Sequence, residues 1–284
     1  MPDAVAEEAA ERLGYEAGQD ELNYLRAGQV RTEAETREEV LLLTAKKDVV
    51  DQHLAMVEAT GLRIEHIDAA PVALFRSFER FLRRRADENA VSVVIDIGLS
   101  GTRVVVGRGR RIVFIKPIDL GGVHLTKAVA KELKLSVQEA AELRARMRSD
   151  EEPAEPSGAR EGRATASWTL HDALRSQVAE VAREIQLCLR YCSVTFRGLR
   201  PHTVTLTGGE AYDGRFVELL REALNLECTV GAPLRGMDVS GVDLGSNRRG
   251  LLSEWALCAG LALRGVEVGR REDGTEHEQH RLSA

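Results

Sequence analysis

An α/β fold is expected for this chain, with an α-β-β-α segment leading into a larger unit. Two observations carry that expectation. Three β-rich runs lie close together, Val91–Ile97, Thr102–Val106 and Arg111–Lys116, joined by short glycine-containing turns that suit a meander. Further on, a long stretch with apolar residues every three or four positions leads into a strand, a Gly-Gly pair and another helix.

The leading segment alternates helix and strand signals. Ala4 to Leu13 has helical composition, Glu21 to Gln29 is strand-like, and Val40 to Thr44 reads as a short buried strand. Asp48 opens a helix with Val49, Leu54 and Val57 on one apolar face, and Gly61 sits where a helix closes. A strand at Arg63 to Ile67 and a helix from Pro71 come next, since proline suits a first helical turn. Arg83, Arg84 and Arg85 then place cations at that helix's carboxyl end, where they complement its dipole.

Beyond the meander, a helix follows Gly121-Gly122, and Ser136 with Glu139 forms a capping box for one through Met147. Arg148 to Ala166 carries two prolines and alternating charge, so a mobile surface insertion is expected. Leu170, Leu174, Val178, Val181, Ile185, Leu189, Cys192 and Phe196 define one long amphipathic helix, with Thr169 and Asp172 as a cap. A strand at Thr203 to Thr207, a helix at Gly214 to Leu224 and an apolar helix at Trp255 to Leu263 complete the frame. From Gly269 onward the composition is that of a solvated tail.

Composition bounds the function. With 284 residues, 43% of them hydrophobic, the chain can bury a core divided over two domains. No window reaches the roughly 18 to 20 uninterrupted apolar residues of a membrane span, and the acidic start at Met1-Pro2-Asp3 is unlike a signal segment. A net charge of −6 argues against nucleic-acid binding, which needs a concentrated basic surface. The four cysteines, Cys188, Cys192, Cys228 and Cys258, lack a disulfide framework or a zinc-site pair and are read as reduced, apolar packing residues. A cytoplasmic location is expected. The seven histidines show no ligand spacing, so none is assigned to a metal.

Two turns hold the candidate chemistry. In DIGLSGT, Asp96 to Thr102, the turn directs backbone N–H groups and the hydroxyls of Ser100 and Thr102 toward a cleft, while Gly98 and Gly101 allow close approach of a ligand. Phosphate suits such a nest, and Asp96 would serve it by holding hydrated Mg²⁺. The same pattern is also that of an ordinary hairpin. In TLTGGEA, Thr205 to Ala211, paired glycines permit contact with a flat ring or a phosphate, or form a structural tight turn.

In combination these segments have the order of a ribonuclease-H-like half of an actin-type ATPase. VVIDIGLSGTRVVV resembles the phosphate-2 loop of the actin, Hsp70 and FtsA superfamily, TLTGGEA its adenosine loop, and EWALCAGLALR its closing helix. Within that superfamily, TAKKDVVDQHLAMVEATGLRIEHIDAAPVALFRSF and PIDLGGVHLTKAVAKELKLSVQEAAELR resemble PilM, a type IV pilus assembly family. The resemblance implies an actin-like domain 2, a partial domain 1A and an SHS2-like 1C subdomain. The expected boundaries are 1–62 for 1C, 63–88 for the remnant of 1A, 89–268 for domain 2 with a disordered insertion at 148–166, and 269–284 for the tail. It also implies ATP held by Asp96, Gly98, Ser100, Gly101 and Thr102 at the phosphates, with Mg²⁺ on Asp96 through water. Gly208, Gly209, Glu210 and Glu184 would border the adenosine.

The family begins with a glycine-rich phosphate-1 loop, and Asp96 belongs to the first such motif present here, so that loop is expected to be missing. Losing about three charged hydrogen bonds at roughly 1.5 kcal/mol each would weaken nucleotide binding by about a thousandfold. The PilM resemblance separately implies that nucleotide serves chiefly as a structural ligand, so hydrolysis is expected to be weak or absent. The function implied is a nucleotide-binding scaffold of the pilus or a related secretion system, peripheral to the inner membrane. Its partners would be a cytoplasmic peptide of the membrane protein PilN and pilus motor ATPases, with a homo-oligomer as a further expectation. Two alternatives share the fold. A small-molecule kinase needs a general base and an intact phosphate-1 loop; an FtsA-like filament protein needs a basic amphipathic membrane helix, unlike the tail after Gly269.

Overall fold

The structure, a computed structural model, describes residues 2–31, 36–148, 157–195, 201, 203–243 and 251–265. It opens with α1 (Pro2–Leu13), β1 (Asp20–Arg31), β2 (Thr36–Lys46) and α2 (Lys47–Glu58). The strands form an antiparallel pair running from Asp20 opposite Lys46 to Arg31 opposite Thr36, with a bulge between Arg26 and Gly28. Lys46 Nζ lies 2.7 Å from Asp20 Oδ1 and closes the open end of the hairpin. Lys46, by that hydrogen bond, holds the Asp20 carboxyl below its usual pKa.

This unit is more exposed than the sequence suggests. The strand expected to be buried is 11 residues long, and its apolar centre at Val40 to Leu43 is only half-buried, because a two-stranded sheet has little to cover it. In α2 no residue is buried, so the stripe of Val49, Leu54 and Val57 gains limited cover among the described residues. Gly61 does close that segment, at φ +80°. The strand expected at Arg63 to Ile67 does not form. Neither sheet takes it as a partner, and the Ile67 carbonyl accepts from Arg264 Nη1 instead of from a neighbouring strand.

Then α3 (Ala70–Glu79) starts with Pro71 in its first turn, as expected, and buries Ala73, Leu74, Phe75 and Ser77. It stops before the arginines: Arg85 begins a short 3₁₀ turn, so the three cations follow the helix at some distance from its end. The meander follows as β3 (Val91–Ile97), β4 (Thr102–Arg108) and β5 (Arg111–Ile118). After it come α4 (Gly122–Leu133), α5 (Val137–Arg148), α6 (Ser157–Thr195), β6 (Thr203–Thr207), α7 (Gly214–Leu224), β7 (Cys228–Val230) and α8 (Ala256–Ala262).

Five strands make the main sheet, in the order β5-β4-β3-β6-β7. The meander is antiparallel, whereas β6 joins β3, and β7 joins β6, in parallel. Period two sorts the apolar side chains onto two faces. Val93, Ile95, Ile97, Val104 and Val106 share one core with α4, α6 and α7; Val94, Val105 and Ile112 share the other with Leu74, Phe75 and Ala256 of α3 and α8. The β-rich run at 91–97 is therefore buried on both sides, which explains its near-continuous hydrophobicity.

The long helix is longer than its apolar pattern. It starts at Ser157, so residues 157–166 are helical where a mobile insertion is expected, and Thr169 lies inside the helix rather than at its start. Residues 149–156, Phe196 and the tail from Gly269 lie outside the described residues. Leu174, Val178, Val181, Ile185, Cys188 and Cys192 are buried against the sheet. Burial pushes the Cys192 thiol up to about 12 and keeps it protonated, in line with a packing role.

Helices α3 and α8 cross with little space between them. A Cβ at Gly260 would collide with the carbonyl of Ala73, the Ser77 hydroxyl donates to the carbonyl of Ala256, and Arg76 Nη1 donates to the carbonyl of Gly260 at 2.9 Å. The capping box is present as read: Ser136 N donates to Glu139 Oε2 at 2.8 Å, and Glu139 N donates to Ser136 Oγ at 3.2 Å. Among the described residues no helix is long and apolar enough to cross a membrane.

Candidate functional site

Two neighbouring parallel strands end side by side, and loops at the carboxyl ends of such strands are where α/β sheets bind ligands. The pairing of β3 with β6 closes with Asp96 opposite Thr207. The chain turns immediately after both. On β3 the turn is tight, with Gly98 N donating to the Gly101 carbonyl at 3.0 Å. On β6, Gly208 has φ +89°, a conformation that favours glycine. A Cβ there would strike the carbonyl of Ile97 and lie 2.8 Å from Asp96 Oδ1. The two turns singled out in separate parts of the sequence are thus in direct contact.

Helix α4 locks the first turn in place. Gly122 N and Val123 N donate to the carbonyls of Gly98 and Leu99 at 2.9 and 2.8 Å. Gly121 makes this approach possible, because a Cβ there would lie 2.6 Å from Gly98 O and 2.9 Å from Leu99 O. The second turn is pinned from the other side. Gly208 N donates to the Ser253 carbonyl and Ser253 Oγ donates to the Gly208 carbonyl, both at 3.3 Å, while the Thr207 hydroxyl also donates to Ser253 O.

The side chains divide between gap and scaffold. Ser100 is exposed and Gly98 half-buried at the turn, and Gly209 is exposed with nothing within 4 Å of a Cβ built on it. These positions leave room for a ligand. Thr102 does not face the gap. It is buried, and its hydroxyl donates to the Leu120 carbonyl at 2.7 Å, because its place in β4 turns it toward the chain that enters α4. Gly101 serves packing, since a Cβ there would lie 2.9 Å from the Ile118 carbonyl.

Glu210 is also part of the scaffold rather than the gap. It is buried, and its carboxylate accepts from Arg144 Nη2 of α5, itself only 1% exposed. Arg144 Nη1 further donates to Thr126 Oγ1 at 2.9 Å and to the Gly122 carbonyl at 3.1 Å. One buried ion pair therefore ties the Gly208 turn to the start of α4 and so to the Gly98 turn. Glu184 is half-buried on α6 and pairs with Arg183 at 3.3 Å; none of its described contacts reaches either turn.

Asp96 is half-buried, and Arg103, its cross-strand neighbour on β4, donates through Nη1 to Oδ2 at 2.9 Å. Burial raises the Asp96 pKa, and the guanidinium opposes that rise. The carboxylate expected to hold hydrated Mg²⁺ thus already has a cation beside it. A metal ligand set is poorly served by one carboxylate shared with an arginine, so the residues present do not fit Mg²⁺ held by Asp96.

Arg103, Arg144 and Ser253 carry much of this arrangement and were not foreseen. Arg144 sits in ELRARM two residues before the exposed Arg146, and the packing of α5 against α4 decides which of the two is buried. Arg103 had a signal: it follows Thr102 by one position, and the hairpin register of DIGLSGTR places it opposite Asp96.

Comparison with known proteins gives this geometry its context. A protein-family model described as type IV pilus assembly protein PilM matches residues 1–266. A solved PilM-PilN type IV pilus biogenesis complex superposes with TM-score 0.71 at 24% identity, covering 94% of this chain and 72% of that one. Ethanolamine utilization protein EutJ from Carboxydothermus hydrogenoformans gives TM-score 0.52 at 19% identity, covering 78% and 62%. MreB 5 of Spiroplasma citri bound to AMPPNP gives 0.51 at 11% identity, covering 78% and 65%. These likenesses establish the expected actin-like fold. Cell division protein FtsA of Bacillus subtilis is 24% identical over 201 residues, and the chain spans 44% of its length.

The buried pair makes a prediction about stability. Removing one partner leaves the other charged and uncompensated, which costs about 3 kcal/mol or more. Glu210→Ala is expected to lower the urea-unfolding free energy by about that amount, and Glu210→Ala combined with Arg144→Met to recover part of it. Equal stability of Glu210→Ala and the parent chain would contradict the role assigned to this pair.

Proposed function

Because the chain belongs to the type IV pilus assembly protein PilM family, we propose that it is a nucleotide-binding scaffold of the pilus assembly platform, working in the cytoplasm at the inner membrane through protein partners. One observation carries the nucleotide part. The turns after β3 and β6 meet at Gly208 and Asp96, with Gly209 open beside them. A loop of this kind can take phosphate at Gly98 and Ser100, while the glycines at 208 and 209 admit a flat base or sugar without a side chain in the way. When bound, ATP supplies the charge and shape that link this unit to its neighbours. This chain's residues hold and orient it.

The partner part rests on the family and on the likeness to a complex that contains PilN. We assign the partner's peptide to the cavity of about 240 Å³ between the β1–β2 hairpin, α3 and β5, where Leu25, Val72, Phe75 and Ile112 supply apolar walls and Arg26 and Arg111 polar edges. Such a cleft suits a short peptide with an apolar anchor. The division into units at residues 62 and 88 belongs to the same reading, with the hairpin as the 1C-like part.

Two experiments test it. Gly209→Val is expected to fold, because a Cβ at 209 meets no atom within 4 Å, and to lower ATP affinity about tenfold or more in calorimetric titration. Unchanged affinity would remove the nucleotide from this gap. Titration of the folded chain with the cytoplasmic segment of a PilN-type protein is expected to give saturable one-to-one binding, and no binding would reject the scaffold role.

A further inference from the structure

The carboxylate at the centre of the gap is paired with an arginine, and this pairing bears on how the chain would neutralise a bound polyphosphate. Asp96 is 15% exposed at its side chain, while Arg103 is 41% exposed, so the pair presents its cationic member outward. The same Nη1 that reaches Asp96 Oδ2 at 2.9 Å lies 4.0 Å from a Cβ built on Gly98. The guanidinium therefore spans from the carboxylate to the Gly98 turn. A guanidinium has five N–H donors in a rigid fork that matches phosphate oxygens, and binding to Asp96 through Nη1 leaves others able to face the gap.

A divalent ion would have to share this carboxylate with Arg103 or expel it. Sharing sets two cations against each other, and expulsion removes the hydrogen-bonded partner of a half-buried acid. Among the described residues no cluster of three potential metal ligands offers the ion another seat.

We propose that Arg103 is the resident counter-ion for phosphate in this gap, so that the chain binds a nucleoside polyphosphate without needing a divalent metal. The inference rests on the nucleotide reading above and specifies its electrostatics. Asp96 is then a positioning residue, holding the guanidinium across the Gly98 turn, and Arg103 is the group that touches the ligand.

The test is titration of ATP into the full chain by calorimetry, once with excess MgCl₂ and once with EDTA. The parent chain is expected to bind with dissociation constants within about threefold of each other. Arg103→Asn is expected to lose about tenfold or more in EDTA, the worth of one charge-assisted hydrogen bond, and to regain affinity with Mg²⁺ because Asp96 is then free to hold it. Arg103→Lys, which keeps the charge but not the fork, falls between the two. Circular dichroism of each variant reports folding, and if Arg103→Asn does not fold, the parent chain's EDTA-to-Mg²⁺ ratio decides alone. Parent binding that disappears in EDTA and returns with Mg²⁺ overturns the role of Arg103 and leaves the nucleotide reading standing. Absence of binding in both buffers overturns the nucleotide reading and this inference with it.

Discussion

Everything at the candidate site follows from the parallel pairing of β3 with β6. That ladder forces two turns distant in sequence to emerge at the same edge, Asp96 beside Thr207. Antiparallel pairing would have sent the Gly-Gly turn to the opposite end of the sheet. The parallel arrangement in turn requires a long crossover, which α4, α5 and α6 provide, and their packing accounts for most of the larger core. The absence of a side chain at Gly208 completes the constraint, since the turn lies directly against the Ile97 carbonyl.

The edge is braced from three sides. Helix α4 gives its first amides to the Gly98 turn, the segment before α8 exchanges hydrogen bonds with the Gly208 turn, and the Glu210–Arg144 pair connects the two systems beneath the surface. A gap held in this way changes shape little when a ligand enters, which favours binding over motion. In the scaffold proposed above, a nucleotide at such an edge would act as a structural ligand, stabilising whichever state holds it. The less supported end is α2, which buries no residue, beside a hairpin strand whose apolar centre at Val40 to Leu43 is half-buried. Such exposure would suit the peptide-binding surface proposed above.

Much of this was legible in the chain itself, for definable reasons. The meander was readable because Val and Ile run almost without interruption between short glycine turns, and the capping box at Ser136 and Glu139 because its residues act on their own backbone. The buried extent of the Val40 strand and the strand at Arg63 were not, since both depend on which neighbours are present to pair or cover them. The three-residue β7 has too few side chains to produce a pattern. At the site, the glycines at 98, 208 and 209 stand out in the sequence because the turns they form are local. The true places of Thr102 and Glu210 were not, because whether a polar group faces a gap or a buried partner is decided by α4 and α5, and sequence spacing does not record that meeting.

The central claim is that the turns at Asp96 and Gly208 face one ligand together. Hydrogen–deuterium exchange of the whole chain with and without saturating ATP measures this directly. Simultaneous protection of peptides covering 96–102 and 207–211, with the β1–β2 hairpin unchanged, is the result the account predicts. Protection of only one of the two turns, or of neither while ATP is bound elsewhere, would contradict it.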